Sequence, residues 1–439
     1  MRRGRLLIIA TALVAITVAP RLVGAEPSDV ATAAAVPRVL PTTGSAIAPT
    51  ELDRVIAVVA ARLTDHNTYL DVRTLGELHL ARARRDEDLA DYEDAVRLLG
   101  EAHDRDRDDP DAATPLAAAL VGVHRFAEAA GLASEVLASH PDNLTAWAVA
   151  ADAALATGAS ATASAALAQL AGFFPDDPSV ALRRSELAWQ TGDLAGSRLL
   201  SAEAVDLART VGLDGPDLAL YLTYDAHRAL DAGDHAAART GLDEALAIAP
   251  DDAAALAESG RLLAALGDLE AAEAAYRRST DLRPDPVTLV ALGEVRTALG
   301  DATGAGHAFA TVEAVAALAA GDEVYRSALA RFNADHGDPD LAVELAMEEA
   351  DGRGDPATLQ TLGRALAATG RFDEARSALD QAIAWGLPDA RLLYQSGVVW
   401  AALGDTERAR SDLEAALAVD DRFHPVEAPA AERLLAELP

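Results

Sequence analysis

Apolar residues in this chain recur three and four positions apart through almost everything after residue 50, the spacing of helices that bury one face. In the first such stretch Leu52, Val55, Ile56, Val59 and Leu63 fall on one side, and Thr50 stands where a hydroxyl can cap the first free N–H groups. A capping helix over 51–67 is therefore predicted. From residue 68 onward a longer pattern repeats, clearest in DAAALAESGRLLAALGDLEAAEAAYRRSTDLRPD. Gly260 and Ala272 supply the small side chains that let two helices cross closely, and Leu263 and Tyr276 fill the space between them. Gly267 can take positive φ and end the first helix, with Asp268 following, and Pro284 stops the second.

The turn between the two helices recurs at His124, Gly158, Gly192, Gly233, Gly267, Gly300, Gly337, Gly370 and Gly404, at steps of 34, 34, 41, 34, 33, 37, 33 and 34 residues. The small residue of the second helix recurs at Ala95, Ala129, Ala163, Ala238, Ala272, Ala305, Ala342, Ala375 and Ala409, with Ser197 in its place once. About ten helix-turn-helix repeats over 68–424 follow, so the fold is all-α, a solenoid in which each repeat covers its neighbour. Extra length in the first repeat, near Leu207–Asp217 and near Ala317–Asp322, is expected in longer segments between repeats. PVEAPAAERLLAEL supplies a C-terminal capping helix over 425–439, with Leu434, Leu435 and Leu438 to cover the last apolar face.

The start of the chain breaks this pattern. Arg2, Arg3 and Arg5 precede an uncharged run from Leu6 to Ala19, and Val23-Gly24-Ala25 offers small residues before a cut, the layout of a signal peptide over 1–25. An uncleaved anchor is the alternative, although Pro20 and Arg21 interrupt the run short of a bilayer's width. Residues 26–50, with Pro27, Pro37, Pro41 and Pro49, read as a Pro/Ala/Thr-rich linker. An exported protein, secreted or periplasmic, is expected.

Composition narrows the chemistry. A hydrophobic content of 51% with only 4% aromatic means that Ala, Leu and Val make the core, which suits closely packed helices. The absence of Cys removes disulfides, thiolate metal sites and Cys nucleophiles. A net charge of −33 makes nucleic acid an unsuitable partner, and loss of the leader, with four arginines and no acid, would take it to −37. Without Lys no phosphate-binding GxxxxGK can exist, GxSxG is missing, and the ten His show no HExxH and no pair three or four apart. Asp104, Asp106 and Asp108 alternate like the opening of a calcium loop, but Asp109 and Pro115 stand where its glycine and closing Glu belong. Acids abound, so no single pair of them marks a catalytic site, and neither enzyme activity nor a cofactor is expected.

The chain resembles tetratricopeptide-repeat proteins. Within them it is similar to a group of exported bacterial proteins of undefined activity, through a lengthened first repeat LGELHLARARRDEDLADYEDAVRLLGEA, then HRFAEAAGLASEVLASHPDNLTAWAVAADAALATG, RFNADHGDPDLAVELAMEEADGRGD, RALAATGRFDEARSALDQAIAWGLPDARLLYQSG and RFHPVEAPAAERLLAEL. The resemblance implies a right-handed superhelix whose inner wall is made by the first helix of each repeat and holds a protein or peptide. It carries over no catalytic residue.

Under that reading, the residue after each first-helix crossing position faces the groove: Glu77, Ala118, Asp152, Glu186, His227, Arg261, Glu294, Arg331, Arg364 and Val398. The series is acidic in its first half and mostly basic in its second. Arg261, Arg331 and Arg364 could grip a partner's carboxylates, or could pair with the chain's own acids, as Arg261 with Glu294. Trp189, Tyr224 and Tyr394 are candidate aromatic anchors on first helices, whereas Trp400 falls at a space-filling position. A protein-binding scaffold follows, without membrane contact beyond a possible N-terminal anchor. The alternatives are an accessory subunit of an envelope secretion or polysaccharide assembly, and a solenoid that binds a small ligand or cation.

Overall fold

A computed structural model describes residues 49–65, 67–86, 89–318 and 324–439. The leader and nearly all of the linker lie outside the described residues, as do 319–323. The described residues form 22 α-helices and no strand, and no helix among them is long and apolar enough to cross a membrane. α1 (Pro49–Asp65) is followed by ten helix pairs, each first helix packed on its second. These are α2 (Tyr69–Asp86) with α3 (Leu89–Arg105), α4 (Pro110–Gly122) with α5 (Phe126–Ser139), and α6 (Leu144–Thr157) with α7 (Ser160–Phe173). Then come α8 (Pro178–Gln190) with α9 (Leu194–Thr210), α10 (Gly215–Asp231) with α11 (His235–Ile248), and α12 (Ala253–Ala265) with α13 (Leu269–Leu282). α14 (Pro286–Ala298) pairs with α15 (Ala302–Leu318), α16 (Arg326–His336) with α17 (Pro339–Gly352), α18 (Pro356–Ala368) with α19 (Phe372–Ile383), and α20 (Ala390–Leu403) with α21 (Thr406–Val419). α22 (Glu427–Glu437) closes the series.

The repeating small residues act as expected. A Cβ on Gly260 would lie 2.7 Å from the Tyr276 ring, one on Gly363 2.6 Å from Leu379 and one on Gly397 2.7 Å from Leu413. Hydrogen there lets the second helix press its large side chain onto the first helix's backbone. At the turn, Gly267 adopts φ +79° and the Asp268 carboxylate accepts from Ala271 N–H, capping α13. The Gly-Asp dipeptide thus ends one helix and begins the next. His124 reaches the same left-handed conformation without being glycine, its ring stacked 5.1 Å from Phe126. Gly337 does not adopt it: φ is −126° and ψ −132°.

Two expectations of the pattern are revised. The extra residues near Leu207–Asp217 do not make a long connection. They lengthen α9 and α10 to 17 residues each, and the first repeat likewise uses its surplus in α2 and α3, of 18 and 17 residues. Nothing in the stretch before Gly212 stops a helix, so α9 runs on to Thr210, and α10 begins at Gly215. In α22 the fully buried apolar side chains are Ala428 and Ala431, while Leu434, Leu435 and Leu438 are only half-buried.

The chain divides into two compact units within α8: unit 1 holds the residues through Arg184 with 211–213, and unit 2 holds Ser185–Thr210 and Asp214–Pro439. In unit 1, Leu52, Ile56 and Val59 of α1 pack on Val72, Leu75 and Leu98. In unit 2 one core runs through Ala342, Leu366, Leu379, Leu392 and Val399, and another through Ala272, Tyr276, Leu292 and Val295.

Candidate functional site

First helices of unit 2 line a cavity of about 370 Å³. Seven residues named from the sequence face it: Glu186 and Trp189 of α8, His227 of α10, Arg261 of α12, Glu294 of α14, Arg331 of α16 and Arg364 of α18. Six of them share the position one step past a crossing residue, which aims them the same way because stacked repeats present equivalent helix faces to one side, and Trp189 lies one turn beyond Glu186. Tyr224 stands next to this set and donates its hydroxyl to Glu186 Oε2 at 2.8 Å. Burial, reinforced by the Glu186 charge, raises the Tyr224 phenol well above its usual value. Tyr394 instead packs against Phe423, ring centroids 5.9 Å apart.

The charged side chains form two networks. In the first, Arg261 Nη2 donates to Asp231 Oδ1 at 2.8 Å, Arg228 Nη2 lies 3.1 Å from Asp231 Oδ2, and His227 Nδ1 lies 3.0 Å from Glu258 Oε1. Arg228 is stacked over Trp189, 4.4 Å from the ring centroid, so the aromatic is held by a cation within the wall. Burial would raise the Glu258 carboxyl, but His227 and Arg261 outweigh it and bring it down to about 2. Asp231 is held well below the ordinary range in the same way, burial being overcome by His227, Arg228 and Arg261.

In the second network Glu294 receives two imidazoles, His336 Nε2 at 3.3 Å and His424 Nε2 at 3.0 Å. Arg364 donates through Nε to Asp335 Oδ1 at 2.6 Å and through Nη2 to Glu427 Oε1 at 2.5 Å. Arg391 donates to both oxygens of Glu427, at 2.6 and 3.2 Å. Beside them burial, and then the charges of Arg391 and Arg364, bring Arg331 down to about 10. Three guanidiniums thus share one wall of the cavity with the carboxylates of Glu294, Asp335 and Glu427.

The pairing differs from the sequence expectation. Arg261 pairs with Asp231 and Glu258, not with Glu294, because residues three and four apart on a helix and one repeat back come closer than the equivalent position one repeat on. The basic half of the series is also compensated: Asp231, Glu258, Asp335 and Glu427 were absent from it. Helical spacing could have found the first three, each a turn from a named position. Arg391 and Glu427 had no such signal, since their meeting depends on how α22 returns to the wall.

Three of the named residues, Glu77, Ala118 and Asp152, belong to unit 1 and are not among those that line this cavity. Asp152 is buried in a double hydrogen bond with Arg183, at 2.6 and 3.0 Å, each side chain about one-twentieth exposed. Glu77 Oε1 lies 3.4 Å from Arg73 Nε. Trp400 is buried, with Arg408 stacked 4.4 Å from its ring centroid.

Folding also gathers carboxylates and His that sequence spacing keeps apart: His79 with Asp91 and Asp94, and Glu294 with Asp335 and His336. In both sets the acids already serve as ion-pair partners. Asp91 accepts from Arg82 Nε and Nη2 at 2.7 and 2.6 Å, and Asp335 accepts from Arg364.

Residues 120–185 and 229–294 match one family model described as a tetratricopeptide repeat, and 361–437 match a second with the same description. These matches and the ten helix pairs among the described residues show that the chain carries tetratricopeptide repeats, a fold that suggests a protein-interaction scaffold. No curated protein matches it. Among solved structures it is similar to yeast Tom70 at 13% identity, covering 88% of this chain and 93% of that one with a TM-score of 0.36. It is also similar to PilW, described as a widely conserved type IV pilus biogenesis factor, at 20% identity over 46% and 91% of the two chains, TM-score 0.40. A tetratricopeptide-repeat protein from Parabacteroides merdae aligns at 18% identity over 59% and 97%, TM-score 0.34.

Proposed function

We propose that this protein is an exported scaffold that holds a segment of a partner protein in the unit 2 cavity and performs no chemistry of its own. The observation that carries the reading is the convergence of Arg331, Arg364 and Arg391 with Trp189, His227 and Gln360 on one concave wall built from seven first helices. Several spaced polar contacts beside aromatic and guanidinium anchors suit a peptide, which repeat arrays bind along an extended face. Export rests on the N-terminal Arg cluster, apolar run and Val23-Gly24-Ala25. The acidic balance argues against nucleic acid as the ligand.

The absence of catalysis is supported by the state of the acids. Asp231, Glu258, Glu294 and Glu427 are each engaged by Arg or His side chains of the wall, the pattern of structural ion pairs. The cavity's size also suits a small anionic molecule, which would raise the melting temperature on its own.

The test is capture from native envelope and medium by residues 26–439, compared with the Arg331→Glu chain and read by mass spectrometry. Arg331 is the position to alter, because it lines the cavity beside Arg364 and Arg391. A protein retained by the first chain and lost with the second, at equal far-ultraviolet helix signal, is the expected result. Equal retention by both would overturn the assignment of binding to this cavity.

A further inference from the structure

We infer that the chain's own segment from Phe423 to Glu427 is a resident ligand of the cavity, seated where an acidic segment of the partner binds. The inference rests on the reading of this wall as a binding surface. Its basis is how the segment is held. α22 buries only two alanines fully, and its leucines stay half-buried, so apolar burial gives it a weak grip. The grip is polar. The Glu427 carboxylate, 8% exposed, takes three hydrogen bonds from Arg364 and Arg391, which stand on two different first helices.

His424 adds a second attachment. Its Nδ1 lies 3.3 Å from the N–H groups of Val426 and Glu427, which leaves Nε2 to donate to Glu294 at 3.0 Å, 130 residues upstream. Phe423 meets Tyr394 of α20 as a third. An aromatic, an imidazole and a carboxylate at the start of a helix, all aimed into the wall, is the pattern of a bound peptide more than of a cap that merely covers an apolar end.

Such an arrangement can be exchanged like for like. Removing Glu427 without replacement would take from Arg391 both of its hydrogen bonds to Glu427 and leave Arg364 with Asp335 alone, whereas a partner carboxylate entering as Glu427 leaves would restore the same bonds. The fitting partner is therefore a protein segment that begins a helix with Glu or Asp and carries an aromatic residue four positions earlier, as Glu427 follows Phe423.

The experiment uses a fluorescent synthetic peptide of residues 420–439 added in trans to the full chain, with binding read by polarisation and α22 followed by hydrogen exchange. Glu427→Gln should weaken the resident contact, so that variant should bind the peptide about tenfold or more tightly than the unaltered chain, with faster exchange of α22 amides. The exposed Glu432→Gln chain should behave as unaltered, and a peptide carrying E427Q should bind neither. Peptide affinity equal in the Glu427→Gln and unaltered chains, with α22 amides equally protected, would overturn the inference and identify α22 as a fixed cap. Should Glu427→Gln lose its helix signal, the unaltered chain with a large excess of peptide decides: faster α22 exchange supports displacement, and unchanged exchange overturns it. Partner capture that is equal for Glu427→Gln and unaltered chains, yet lost with Arg331→Glu, would remove this inference alone and leave the binding wall in place.

Discussion

At the scale of single residues, the same register position has different meanings along the chain. Asp152 and Arg261 both follow a small crossing residue, yet Asp152 is sealed against Arg183 while Arg261 faces the cavity. Asp152→Ala should cost about 3–5 kcal/mol in chemical denaturation by leaving Arg183 buried without its counter-charge, and should leave partner capture by unit 2 unchanged. A cost near zero would contradict the buried pair. Sequence alone could not separate the two cases, because both residues find an oppositely charged partner one repeat away and what differs is exposure: Asp152 is sealed with Arg183, whereas Arg261, paired with Asp231, keeps 39% of its side chain exposed. The carboxylates also set an acid limit. Glu258 and Asp231 titrate lower in the folded chain than unfolded, so their contribution to stability is complete above the unfolded carboxylate range near pH 4.3 and is lost as pH falls toward about 2. Melting temperature should therefore hold from neutral pH to about pH 5 and drop between there and pH 2. In Arg261→Ala the drop should begin at higher pH, and identical profiles for the two chains would contradict the pairing.

At the scale of helices, the Gly-Asp turn was readable because both of its tasks are local. Glycine takes positive φ, and the aspartate caps the next helix through its own backbone neighbours. Gly267 has open space around its Cα, so Gly267→Ala should cost about 1–2 kcal/mol from backbone conformation alone. Gly100 also has open space but lies mid-helix in α3 without positive φ, and Gly100→Ala should stabilise by about 0.5–1 kcal/mol. Thermal melts of the two variants shifting in the same direction would contradict the turn assignment. Helix lengths were less readable than turns. The surplus residues of α9 and α10 carry no breaker until Gly212, and periodicity counts the residues of a repeat without telling a longer helix from a longer connection. The crossing contacts were readable in kind, small against large, but the choice of ring was not: Phe309 lies over Gly293 where Tyr276 lies over Gly260.

At the scale of the whole molecule, ten repeats supply one kind of surface many times, and function depends on where that surface changes character. In unit 2 the change is the gathering of Arg331, Arg364 and Arg391, of which only the first two lie in the repeating series of the sequence. Arg391 and Glu427 were hidden because the position of α22 is a tertiary fact, set by the packing of Ala428 and Ala431 and by the arginines themselves. The most direct test of the central claim, that the cavity wall is the binding surface, is site-specific photo-crosslinking. A photoreactive residue placed at Gln360, in the wall, is compared with one at Ser377, exposed on the second helix of the same repeat. Partner adducts from Gln360 and none from Ser377 are the predicted result; adducts from Ser377 without any from Gln360 would contradict it.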